Sequence, residues 1–134
     1  MFISEVQIRV RYAETDQMGY VYYGNYAAFF EVGRVEALRA LGFSYRKLEN
    51  AGYMLPVMNY NIDYLKPAHY DDLLTIKTSI PLIPSARIHF EYETYNEQEV
   101  LINKASTTLV FIDRSSNKPC KPPQDFLQAI SKYF

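Results

Sequence analysis

The sequence predicts an α+β fold in which one curved antiparallel sheet wraps around a single long central helix. Three observations predict it. One amphipathic stretch at 24–41 repeats its apolar residues at helical spacing. The segments before and after it alternate apolar and polar residues at a period of two. The order is strand, helix, then four strands, so a lone helix must bury its apolar face against one sheet. A length of 134 residues fits one domain, spanning 1–134.

The first strand covers 2–12, with Val6, Ile8, Val10 and Tyr12 on one face and Glu5, Gln7, Arg9 and Arg11 on the other. Residues 13–23 (AETDQMGYVYY) break that alternation and read as a loop. In the helix that follows, Tyr26, Ala27, Phe30, Gly33, Ala37, Leu38, Ala40 and Leu41 share one arc. Asn25 is placed to cap the start and Gly42 to stop the end. Gly33 costs about 1 kcal/mol against alanine inside a helix, so a close approach to another backbone is expected there. Arg34 intrudes on the apolar arc and needs a partner, with Glu31 the nearest acid at i, i+3. A short second helix is expected at 44–51.

Four strands follow, read as a meander. Met58, Tyr60, Ile62 and Tyr64 alternate with Asn59, Asn61 and Asp63, and Pro67 ends that run. Leu74, Ile76 and Ile80 alternate up to Pro81, and Ile88, Phe90 and Tyr92 do so after the Pro84 turn. The last strand runs over 100–112, the segment SSNKPCKPP reads as loop, and 123–132 as a terminal helical turn or two. The open edge of such a sheet invites pairing with a second copy, so a homodimer or homotetramer is expected.

Net charge is −1, from 14 basic and 15 acidic residues. That lacks the basic excess a nucleic-acid surface needs. No run approaches the length of a membrane span, and the opening MFISEVQIRV lacks the pattern of a secretion signal. A cytoplasmic protein is expected. Its one cysteine, Cys120, permits no internal disulfide, and His69 and His89 share no ligand spacing. No metal and no cofactor are expected.

The chemistry concentrates in 11–36, RYAETDQMGYVYYGNYAAFFEVGRVE. Asp16 lies in the loop before a helix whose first N–H groups are unpaired and carry partial positive charge. Those groups can polarise a carbonyl while the carboxylate activates water or attacks directly. On spacing alone, a second reading competes, in which Asp16 only caps a turn.

Tyr12, Glu14-Thr15-Asp16, Gly19, Val21, Tyr22-Tyr23 and Asn25-Tyr26, followed by FFEVGRVEALRALG and DYLKPAHYDDLLTIKT, cover nearly the whole chain. This pattern resembles the 4-hydroxybenzoyl-CoA thioesterase-like hotdog enzymes, including the small acyl-CoA thioesterases associated with the Tol-Pal system. The resemblance implies a single hotdog domain that hydrolyses acyl-CoA. It implies Asp16 as the catalytic base or nucleophile, and the backbone N–H of Tyr23 as the group that polarises the thioester carbonyl. Some relatives carry histidine at the Tyr23 position; a backbone donor survives that change. Gly19, Tyr22, Asn25 and Arg87 are the expected substrate-binding residues, Arg87 for the CoA phosphates, with Lys66, Lys118 and Lys121 weighed for the same task.

Some hotdog thioesterases use a helix glutamate instead, but Glu31 has Arg34 to pair with, and Glu36 reads as a solvated charge. Asp63 reads as one side of a cross-strand pair, and Cys120 as incidental. Two other functions share the fold. A non-catalytic module would bind acyl-CoA or a protein partner without releasing thiol. A dehydratase or hydratase would pair a histidine with a helix acid, and the 13–26 segment contains no histidine.

Overall fold

The computed structural model describes residues 1–134. In chain order the elements are β1 (Phe2–Arg9), a 3-10 turn (Tyr12–Glu14), α1 (Asn25–Ala40), α2 (Tyr45–Asn50), β2 (Tyr53–Met54), β3 (Val57–Tyr64), β4 (Leu73–Ile80), β5 (Arg87–Tyr95), β6 (Leu101–Val110), β7 (Ile112–Asp113), β8 (Lys118–Pro119) and α3 (Gln124–Ser131). The main sheet has five antiparallel strands in the order β1-β4-β5-β6-β3. One face packs on α1. Leu74, Ile76 and Ile80 of β4 and Ile88, Phe90 and Tyr92 of β5 point into it and are buried. The opposite face carries Lys77, Glu93, Glu91 and His89, with a Lys77–Glu93 ion pair and His89 Nε2 3.7 Å from the Glu91 carboxylate.

The strands after the helix are not a simple meander. β4, β5 and β6 follow one another, but β3 crosses to the far edge and pairs with β6. Alternation gives each strand's faces, not its neighbours. The exposed edge strands are therefore β1 and β3, and almost every residue of β3 is exposed.

The buried stripe of α1 is Tyr26, Phe29, Phe30, Gly33, Arg34, Ala37 and Leu38. Ala27 and Ala40, expected on the buried arc, are exposed, and Phe29 takes their place. The helix is turned so that the Phe29 ring, rather than Ala27 and Ala40, is buried, which removes more apolar area from water. Gly33 meets side chains rather than backbone. A Cβ there would stand 2.6 Å from Thr78 Oγ1 and 3.1 Å from Ile76 Cγ2.

Arg34 does not pair with Glu31. Its Nε donates to the Tyr45 hydroxyl at 3.1 Å, from α2. The guanidinium is turned inward on the buried stripe, where α2 supplies the partner. Gly42 does end α1, with φ +92° and its N–H on the Arg39 carbonyl. Ser44 caps α2 by accepting from Lys47 N–H.

Tyr12, expected inward on the first strand, lies in the 3-10 turn instead. It is 74% exposed and stacks on Tyr70. Within SSNKPCKPP, expected as loop, Lys118–Pro119 form β8, the outer strand of a small sheet β2-β7-β8. α3 closes the core at the far end of α1, where Phe126 packs edge-on against Phe43 at 5.2 Å.

Candidate active site

The loop before α1 is a tight hairpin. Thr15 and Val21 form an isolated bridge, Asp16 N–H donates to the Tyr20 carbonyl at 2.8 Å, and Gly19 N–H donates to the Asp16 carbonyl at 3.0 Å. Gly19 turns the chain at φ +78°, a conformation glycine adopts without strain. The hairpin is docked on the 65–69 segment. Val21 N–H donates to the Ala68 carbonyl at 2.8 Å, and Tyr20 bridges His69.

The preceding turn is braced by a reciprocal contact. Arg11 N–H donates to Glu14 at 2.8 Å, and the Arg11 guanidinium pairs with the same carboxylate at 3.1 Å. Burial pushes the Glu14 carboxyl up, but the hydrogen bonds and charge of Arg11 outweigh it and hold it below the usual range.

The turn-cap reading of Asp16 describes one of its two carboxylate oxygens. Its Oδ1 accepts from Met18 N–H at 2.9 Å and Tyr20 N–H at 3.2 Å, which is a turn cap. Its Oδ2 accepts no hydrogen bond from the protein. One oxygen fixes the hairpin, and the other is free to take a proton or attack a carbon.

The start of α1 has a matching vacancy of acceptors. Gly24 occupies the cap position and supplies no side-chain hydrogen bond. Asn25 is not a cap. Its amide donates to the Glu14 carbonyl at 2.9 Å and ties the helix start to the turn before Asp16. That carbonyl is also taken by Tyr22 N–H. The N–H groups of Tyr23 and Gly24 donate to no protein acceptor. They lie at the positive end of the helix, suited to a developing oxyanion.

Asp16 and Tyr23 line one slot of about 320 Å³, together with Tyr26, Tyr64, Leu65 and Lys66. It is mostly apolar, as a site for an acyl group should be. Tyr22 stands outside the slot, with its ring against Gly24; a Cβ on Gly24 would come 2.9 Å from that ring. Gly19 and Asn25 shape the loop without lining the slot. Arg87 is remote from it within one chain. Tyr64, Asn103 and Thr94 are register partners beside the slot, whereas Arg87 pairs with Val110 at the other end of β5. Seven residues separate Thr94 from Arg87, about 23 Å at strand rise. A larger polar depression of about 460 Å³ lies on the opposite sheet face, around Lys77, Glu93 and Lys104, away from Asp16.

Sequence reading missed the far wall of the slot, Tyr64, Leu65 and Pro67. Their signal was the DYLKP run, which sits where β3 gives way to the segment that docks on the hairpin. Burial drives Tyr26, the ring between hairpin and sheet, up to about 12, with the Tyr64 phenol adding to the shift.

A family model described as thioesterase-like superfamily matches residues 10–130. The putative acyl-CoA thioesterase YneP of Bacillus subtilis strain 168 is 40% identical over 119 residues, covering 89% of this chain and 86% of that protein. The acyl-CoA thioester hydrolase YbgC of Escherichia coli O157:H7 is 32% identical, covering 90% of each. Among solved structures, a DHNA-CoA thioesterase from Staphylococcus aureus superposes with TM-score 0.93 at 38% identity, covering 99% of this chain and 91% of that one. With its curved antiparallel sheet around one long helix, the chain belongs to the thioesterase-like superfamily of hotdog-fold thioester hydrolases.

Proposed function

We propose that the chain hydrolyses acyl-CoA to a free acid and CoA, with Asp16 as general base or nucleophile and the Tyr23 backbone N–H as oxyanion donor. One observation carries this reading: Asp16, with one carboxylate oxygen unbonded, and Tyr23, with its backbone N–H unbonded, are residues of the same apolar slot. In the base route, Asp16 Oδ2 takes a proton from water as the water oxygen attacks the thioester carbon. The carbonyl oxygen gains the negative charge, and the Tyr23 N–H holds it. Collapse of that intermediate breaks the C–S bond, and the thiolate of CoA leaves and takes up a proton. Gly19 keeps the hairpin tight, Asn25 locks it to the helix, and Tyr22 covers Gly24 beside the helix start.

We propose that two copies complete the site. β3 is an open edge with Val57, Met58, Tyr60 and Tyr64 all exposed, at 47%, 50%, 39% and 49%. An open apolar edge favours strand-to-strand association. β3 runs from the Arg87 end of the sheet to the Asp16 end. Antiparallel pairing of two β3 edges sets the start of one beside the finish of the other. The partner's Arg87 would then approach this chain's slot and meet the phosphates of CoA, which favour guanidinium.

The test is a panel of acyl-CoA thioesters of graded chain length and ring content, read by thiol release, with light scattering for the oligomeric state. Turnover of at least one thioester by a dimer or larger assembly is expected. Tight binding of the thioesters with no thiol release would leave a non-catalytic binding module. A fully active monomer would refute the shared site.

A further inference from the structure

Arg34 is the only charged side chain in the interior, at 7% exposure, and no carboxylate lies within ion-pair range of it. A buried charge normally has a partner of opposite sign. Here Nε donates to the Tyr45 hydroxyl at 3.1 Å, and the two terminal nitrogens donate to nothing in the protein. Neither of them is sealed from solvent, so an opening reaches them. Burial works against the charge, but the Tyr45 and Tyr92 phenols outweigh it and keep the guanidinium protonated. The Tyr92 hydroxyl is itself engaged with Thr107 at 2.7 Å. A fork of N–H donors is left for an incoming acceptor, and that fork matches a carboxylate.

The row of residues that ends at Arg34 begins in the acyl slot. Tyr26, Phe30 and Arg34 follow at i, i+4 and i+8 on the buried stripe of α1. Tyr26 lines the slot with Tyr64, their ring centres 5.8 Å apart. One turn on, the Phe30 ring stands 4.7 Å from Tyr92 and 6.2 Å from Tyr60 of β3. One turn further is Arg34. Tyr64 and Tyr60 of β3 run beside this row, and both are exposed at the open edge. Eight residues of helix separate Tyr26 from Arg34, a rise of about 12 Å. Arg34 does not line the slot itself; it ends the aromatic row that starts there.

We propose that Arg34 binds a carboxylate at the far end of the acyl group, so that the preferred substrates are CoA thioesters of dicarboxylic acids. The acyl chain lies along the rings of Tyr26, Phe30, Tyr64 and Tyr60, and its terminal carboxylate meets the guanidinium. The phosphates of CoA do not compete for this place, because they belong to the thiol side of the scissile bond. Packing does not explain the residue either, since methionine fills such a position without burying a charge. Nor does Glu31, one turn back, which is exposed and unpaired with Arg34. The inference rests on the thioesterase reading and names the acyl group that the site prefers.

The experiment compares kcat/KM for ω-carboxyacyl-CoA and plain acyl-CoA of equal length over a graded series. The ω-carboxy member is expected to be preferred by about tenfold or more at its best length, because a buried site built to bond a polar group rejects the analogue that lacks it. Arg34→Met should bring that ratio close to one by lowering the ω-carboxy value. Its melting temperature should equal or exceed that of the wild type, because a buried charge is gone. In a binding arm, the free dicarboxylic acid of the best length should raise the wild-type melting temperature more than the matching monocarboxylic acid. A wild-type ratio near one at every length overturns the inference, and so does a preference that folded Arg34→Met retains. Dissociation of Arg34→Met into monomers, with no preference in the wild type, would assign the anion to a second copy of the chain and overturn it too. Failure to hydrolyse any thioester would sink the thioesterase reading instead. The binding arm then decides whether Arg34 takes a carboxylate, as it does if Arg34→Met fails to fold: equal shifts by the two acids overturn the site.

Discussion

The two ends of α1 are built to opposite rules. At the C-terminal end, Ala37 and Leu38 are 0% exposed, Phe43 N–H closes onto the Leu38 carbonyl at 2.9 Å, and the Phe43 ring packs on Phe126. The Leu41, Gly42 and Phe43 N–H groups of that turn are all paired, and the Phe43 and Phe126 rings are buried. At the N-terminal end, Gly24 provides no side-chain cap, the Tyr23 and Gly24 N–H groups go unmet, and the Tyr22 and Tyr23 rings are 48% and 64% exposed. A helix needs one packed end to hold it in register. The other end can then keep donors open for a reacting group, at a cost in stability that the packed end offsets.

Changes at the packed end should therefore cost stability and spare chemistry. Phe126→Ala has the largest expected effect, a loss of about 3–5 kcal/mol on urea unfolding. Activity per folded molecule should hold. A comparable fall in kcat for the folded fraction would mean that the two ends are not independent. Gly33→Ala, mid-helix, should cost about 1–3 kcal/mol by overpacking, because the new methyl meets Thr78 Oγ1. A neutral or stabilising result would show that β4 can retreat from the helix.

Near the open end, Tyr26 supplies a pH signature. It stays neutral in the folded chain until about 12, against an ordinary value of 10.0. A raised folded value means its contribution is fully present below pH 10 and is lost as pH climbs through 12. Unfolding midpoints across that range should fall less steeply in Tyr26→Phe than in the wild type. Equal slopes would mean that the ring is not held in its neutral form. Tyr23→Phe should have the smallest effect, within about 0.5 kcal/mol. It removes an exposed hydroxyl and keeps the backbone N–H. Near-normal turnover is expected, and a large loss would move the role of Tyr23 from backbone to side chain.

Much of this division was legible in the sequence, where it depended on local pattern. Alternation in 74–80 and 88–92 gave strands whose inner faces are the observed core, and Gly42 marked the end of α1 correctly. Asp16 and Tyr23 fell on one slot because a loop and the helix it enters are neighbours in sequence. Long-range partners were not legible. Arg34 was matched to Glu31, three residues away, because spacing says nothing of Tyr45 arriving from α2. Asn25 looked like a cap because its type favours caps, but the Glu14 carbonyl, eleven residues back, claims its amide. The crossover of β3 and the slot wall at Tyr64 and Leu65 depend on strand order, which alternation does not encode. β7 and β8 are two residues each, too short to leave a period.

The central claim is that the two oxygens of Asp16 divide their work, Oδ1 holding the hairpin and Oδ2 doing the chemistry. Asp16→Asn separates them. An asparagine keeps an Oδ1 that can accept from Met18 and Tyr20 N–H, and it loses the basic Oδ2. The measurement is thiol release from the best acyl-CoA substrate alongside thermal unfolding of the same sample. The predicted result is a fall in kcat of about 10²–10⁴-fold with a melting temperature within about 3 °C of wild type. Near-normal turnover by the folded variant would contradict the mechanism. A variant that melts far lower would mean that Asp16 serves the turn first and the reaction second.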